Sequence, residues 1–115
     1  MQVEPLTLTF DLDELQAIFS PNELCALLAR ARDTLAEDRV LAQSSDSREA
    51  AHALHRIKGT AQYLGVHDMA HFLLQVEQAL IAQDEVLVAQ LNLRCSAYLA
   101  ALDTLLAQTL RTLES

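Results

Sequence analysis

The sequence predicts an all-α fold, an antiparallel four-helix bundle with a short additional N-terminal helix, and three observations carry that prediction. Leucine, alanine, glutamine and glutamate, which all favour helix, dominate, whereas glycine and proline occur only twice each in 115 residues. Apolar residues recur at i, i+3, i+4 and i+7 through four successive segments. Short polar connections with capping residues separate those segments, so consecutive helices must reverse direction. The length suits one domain with one core, and about half the residues are apolar. With no tryptophan and few aromatics, that core is expected to be Leu–Ala packing.

Taken in order, residues 1–9 read as an extended N-terminal or linker segment, because Pro5 and the Thr-Leu-Thr alternation do not start a helix. Residues 10–115 form the bundle domain. A short helix is expected over about 11–19, with Leu12, Leu15, Ile18 and Phe19 at helical spacing. Ser20-Pro21-Asn22-Glu23 then places serine at an N-cap, proline at the first helical position and glutamate at the third, a capping box. The helix it opens should reach about residue 42 and bury Leu24, Leu28, Ala31 and Leu35. Residues 43–47 are polar, and Asp46 with Glu49 offers a second capping box. The third long segment runs to about residue 64, with Ala50, Leu54, Ile57, Ala61 and Leu64 on one face. Gly65 follows, where a left-handed cap favours glycine. The next helix, about 67–82, repeats the pattern through Met69, Leu73, Val76 and Leu80. Asp84 caps a final helix to about residue 113, with Val88, Leu91, Cys95, Leu99, Leu102, Leu106 and Leu113 as its apolar positions.

The formal net charge is −8. A chain this acidic is repelled by nucleic acid and by anionic lipid unless a local basic patch overrides the average. The basic residues are scattered, so neither partner is expected, and surfaces that are basic or apolar suit it better. Cys25 and Cys95 match no metal or redox spacing and sit in apolar-periodic segments, as small core residues do. Free thiols of that kind point to a reducing cytoplasm. No stretch has the length and apolarity of a membrane span, and the N-terminus lacks a basic signal-peptide start. Direct membrane contact is therefore not expected of this domain.

The informative stretch is His55-Arg56-Ile57-Lys58-Gly59, followed by Thr60-Ala61-Gln62-Tyr63-Leu64-Gly65. Leu54, Ile57, Ala61 and Leu64 point inward, so His55, Lys58, Gly59 and Gln62 line a neighbouring stripe that faces solvent. His52 extends it by a turn. Gly59 lies inside a helix, where it costs about 1 kcal/mol relative to alanine. It sits one turn after His55 on the same side, leaving room for something to approach the imidazole. Lys58 places a cation where an anion attached to His55 would sit. Histidine, lysine and a gap suit a nitrogen nucleophile that accepts a phosphoryl group. Glu77 follows from geometry: if the chain reverses near Gly65, His55 and Glu77 stand at equal distances from the turn. A carboxylate at that height could accept a hydrogen bond from Nδ1–H of His55 and leave Nε2 free to attack. Partner contacts are expected from Ala51, His52, Arg56 and Gln62. Of these, Arg56 points roughly 100° around the helix from His55, toward solvent or a partner.

The segment from His55 to Gly65 resembles the histidine-containing phosphotransfer (HPt) domain family of bacterial multistep phosphorelays, whose signature is His-x-(Ile/Leu)-Lys-Gly with a second glycine at the following helix end. The resemblance extends over nearly the whole chain through the helix pattern. It implies that His55 is phosphorylated on Nε2 by a receiver aspartyl phosphate and passes the group to another receiver. Lys58 would neutralise phosphate, and Gly59 would provide clearance. It further implies a phosphoryl carrier without autonomous kinase activity and with no cofactor of its own, the Mg2+ residing on the receiver. The expected partners are response-regulator receiver domains, and the isolated domain is expected to be a monomer.

Two other readings compete. One is the phosphoacceptor domain of a chemotaxis-type histidine kinase, in which an ATP-binding domain would phosphorylate His55. The other is a helical adaptor or metal-binding bundle without phosphotransfer. The pairs His52/His55 and His67/His71 are spaced for a shared face, but zinc takes three or four ligands, and no metal site is expected. The extended opening favours an excised piece, such as the C-terminal domain of an inner-membrane hybrid sensor kinase, over a separate small protein.

Overall fold

The computed structural model describes Leu8 and residues 10–114, which form five helices: α1 (Leu12–Ile18), α2 (Pro21–Leu41), α3 (Ser47–Leu64), α4 (His67–Ile81) and α5 (Glu85–Glu114). The extended segment expected over 1–9 lies outside the described residues, Leu8 apart. Connections of two to five residues join α2 to α5 in sequence, so the four long helices alternate in direction. Each packs on two others in a closed ring, α2 on α3 and α5, and α4 on α3 and α5. The all-α four-helix bundle with a short extra helix is the observed fold.

Local chemistry sets each boundary. Asp11 caps α1 by accepting from the Glu14 N–H, and Ser20 and Glu23 form both halves of the capping box that opens α2. The second predicted box is only half present. Asp46 accepts from the Arg48 and Glu49 N–H groups, but Glu49 reaches the Ser44 hydroxyl at 2.9 Å, and Ser44 takes the Asp46 N–H. The serine-rich connection supplies a nearer donor, so the glutamate never turns back.

Gly65 ends α3 in the left-handed region, φ 84°. Its N–H donates to Gln62 O, and that of Val66 donates to Ala61 O. This is the paired-bond Schellman stop that a residue at positive φ makes possible. The same pair recurs after α4, from Gln83 to Leu80 O and from Asp84 to Ala79 O. Here Gln83, not glycine, holds φ 55°, a feature that the sequence gives no sign of.

The predicted stripes are buried. Leu24, Leu28, Leu54, Ile57, Leu64, Met69, Leu73, Leu102 and Leu106 have essentially no exposed surface, and each contributes about 1.5–3 kcal/mol of hydrophobic stabilisation. Tyr98 joins them, stacked on Phe72 with ring centroids 4.9 Å apart and Arg94 over both rings. Several expectations change. Ile18 is exposed, because a helix of seven residues beside α2 has only Leu15 to bury. Leu80, Val88 and Leu91 are half-buried. Cys95 is buried and Cys25 half-buried, both as free thiols. Small residues are buried on both α3 and α4: Ala50, Ala51, Ala53 and Ala61 on the first, Ala70 and Ala79 on the second. Small side chains let two helices approach closely, and this pair shares the most extensive contact in the molecule. That closeness positions the site.

Candidate functional site

His55 occupies the middle of α3 and Glu77 the corresponding height of α4, as the turn-counting argument requires. Nδ1 of His55 lies 3.0 Å from Oε1 of Glu77. The carboxylate can only accept, so the contact places a hydrogen on Nδ1, and the neutral form of the ring held this way has its lone pair on Nε2. The imidazole side chain is 64% exposed and the carboxylate only 14%. The ring is thus anchored at its inner nitrogen and open at its outer one.

Lys58 makes a contact that the helical spacing does not foretell. Its Nζ donates to Oε2 of Glu77 at 2.9 Å, and its side chain is 12% exposed. One carboxylate therefore serves two donors, the imidazole on one oxygen and the ammonium on the other. The cation and the imidazole thus share one carboxylate. The cation supplies the countercharge that a half-buried carboxylate needs.

Gly59 is exposed, and a Cβ built on it would meet nothing within 4 Å. Nothing inside the molecule requires glycine there. His52 and Gln62 are also exposed. Ala51, expected as a partner contact, is buried in the seam beside Glu77, Leu80 and Ile81. It spaces α3 from α4 and offers almost no surface for docking. Arg56 is exposed, as expected, and is also anchored on α2. Its Nε and Nη2 donate to Oδ1 of Asp38 at 3.1 and 2.8 Å. These bonds hold the guanidinium's pKa above its ordinary value, and they tie α3 to α2. Asp38 is the buried charged residue of the described chain, and its Oδ2 has no hydrogen-bond partner. Its place at i+3 from Leu35 continues the apolar stripe, so a carboxylate in that register was the available sign of a buried ion pair.

The outer surface of α4 also escaped sequence reasoning. Leu74 and Ile81 are exposed one turn to either side of Glu77. Both belong to a stripe at i, i+4 and i+7 with Gln78, and that stripe was legible as a second helical face. Among the described residues, no three His, Cys, Asp or Glu side chains gather as a metal site. No described helix is long and apolar enough to cross a membrane.

Fold and site together define a helical bundle that displays an exposed imidazole anchored by a half-buried carboxylate. The family model of the Hpt domain matches residues 22–112, from the first turn of α2 to the last turn of α5, and the chain belongs to that family. Hpt domains are the histidine phosphotransfer modules of phosphorelays and interact with receiver domains. Comparison with curated proteins and with solved structures gives no match.

Proposed function

We propose that this chain relays a phosphoryl group between receiver aspartates through Nε2 of His55. In the forward step the Nε2 lone pair attacks the phosphorus of a receiver's aspartyl phosphate. The N–P bond forms, the P–O bond to aspartate breaks, and the aspartate leaves as a carboxylate. The imidazole gains positive charge while Nδ1 keeps its proton, and Glu77 stabilises that charge through the existing hydrogen bond. The return step to a second receiver reverses each change. Lys58 fixes Glu77 and supplies a cation that neutralises the incoming phosphate, and Gly59 leaves the approach to the ring clear. Mg2+ and the remaining catalytic groups reside on the receiver. Two free thiols suit a cytoplasmic setting.

The observation that carries this reading is the 3.0 Å contact between Nδ1 and Glu77 beneath an otherwise exposed ring. The test is incubation with phosphorylated receiver domains, comparing the native chain with His55→Gln. Label that is acid-labile, base-stable and absent from the variant is expected, with the phosphorus on Nε2 by NMR. Equal label on both proteins would overturn the assignment. Label appearing only with an ATP-binding kinase domain as donor would replace the relay reading by the chemotaxis-type one.

A further inference from the structure

The first turns of α5 do not sit in the bundle as the other long helices do. The first buried residue of α2 is its fourth, Leu24, that of α3 its fourth, Ala50, and that of α4 its third, Met69. In α5 it is the eleventh, Cys95. Ahead of it Val88 and Leu91 are half-buried, while Val86, Leu87 and Leu93 are exposed. Between these turns and the α2–α3 connection lies an open groove of about 810 Å³, whose walls include Ala42, Ser44, Ala50, Leu80, Val88 and Ala89.

That exposure conflicts with the residues that bear it. Residues 86–93 read Val-Leu-Val-Ala-Gln-Leu-Asn-Leu, without a charge, and their apolar side chains point all round the helix. A helical stretch that is apolar on every side is ordinarily buried. Val86 and Leu93 are seven positions apart and 69% and 68% exposed, so they share one outward stripe, with Ala89 and Gln90 between them. No charged residue joins that stripe until Arg111, although the chain carries a net charge of −8.

We infer that this stripe is an interface with a second copy of the chain, made by antiparallel pairing of the first turns of two α5 helices about a two-fold axis between Ala89 and Gln90. A two-fold contact uses the same patch twice and needs that patch to match itself. This one does. The pairing brings Val86 of each copy level with Leu93 of the other, and the small Ala89 lies near the axis. Glu85 comes level with Arg94 of the other copy, so the charges that flank the apolar turns are opposite in sign. The two acidic bodies extend away from each other, which limits their mutual repulsion. The overlap covers about 15 Å of helix and on the order of 600 Å² in total, the size of a weak and reversible contact. In the ring of helices α3 stands diagonally across from α5, so His55 stays uncovered on both copies.

Sedimentation equilibrium tests the proposal. The 12.7 kDa chain should give way to a species of twice that mass between about 50 µM and 1 mM, the range suited to a contact of this size. Leu93→Glu should raise the dissociation constant about tenfold or more. Ile18→Glu replaces an equally exposed side chain on α1 with the same charge and should change it by less than about twofold. Far-UV circular dichroism checks that both variants fold. Mild oxidation should cross-link a Gln90→Cys chain to itself and leave a Thr104→Cys chain, equally on the outer face of α5, at the background of the native chain. A native chain that is monomeric at about 1 mM, or a dimer that the two glutamate variants weaken alike, would overturn the interface. Equal cross-linking at residues 90 and 104 would overturn the antiparallel register.

Discussion

Helical spacing alone does not foretell the Lys58–Glu77 pair, and a double-mutant cycle measures it. At 2.9 Å, with an effective dielectric constant of about 20, the gross Coulomb attraction is about 6 kcal/mol. Desolvating two side chains that retain only 12% and 14% exposure, and fixing a long lysine, cancels most of that. Removing one partner leaves the other charge largely buried and alone. For full burial that costs about 3–5 kcal/mol, and the residual exposure here reduces it to about 2 kcal/mol for Lys58→Met or Glu77→Gln. The double variant strands no charge, so it should also lose only about 2 kcal/mol and give a coupling of about 2 kcal/mol. Urea unfolding followed by far-UV circular dichroism at pH 7 reads all four corners of the cycle. Losses that add to within about 0.5 kcal/mol would mean that the two charges do not depend on each other, and the assignment of Lys58 to Glu77 would fall.

Gly59→Ala should raise stability by about 1 kcal/mol, since the new methyl meets nothing within the chain, while slowing transfer from a receiver; a variant that is no more stable in urea would show that the glycine has an internal role. Gln83→Gly should relieve the left-handed backbone at φ 55° and, after the entropy that glycine adds to the unfolded chain, raise stability by about 0.5 kcal/mol, whereas a lowered melting temperature would contradict this. Burial pushes the Cys95 thiol up to about 11, above its ordinary value of 9.0. The unfolded chain therefore releases this proton at a lower pH than the native chain does. The stabilisation is complete below about pH 9 and is lost as pH rises toward 11. Cys95→Ala should flatten that part of the stability profile, and an unchanged slope in urea titrations from pH 8 to 11 would refute it.

Much of this was readable in advance because helices are local. Spacing located α2 to α5 to within a residue or so, since capping residues and Gly65 act through bonds that span three to five positions. The His55–Glu77 contact was also legible, because a two-residue reversal between antiparallel helices converts sequence distance into height. What stayed hidden depends on rotation and on competition among donors. Height alone cannot say that Lys58 turns toward Glu77, that Arg56 turns toward Asp38, or that Ala51 faces the seam. Glu49 chose Ser44 over its own N-cap for the same reason: two partners were within reach, and the pattern names only one.

The two Schellman stops that bound α4 have a bearing on how this sequence can vary. They lock the helix at both ends, so the separation of 22 positions from His55 to Glu77 works as a ruler. One residue inserted after Gly65 would turn Glu77 by about 100° and move it about 1.5 Å along the axis, taking the carboxylate from both donors at once. No comparable measure runs through the serine-rich connection between α2 and α3, where extra residues would only lengthen a surface loop. Homologous chains should therefore differ freely in length across residues 42–46 while keeping the count from His55 to Glu77 fixed. In that sense part of the site is stored as a number of residues.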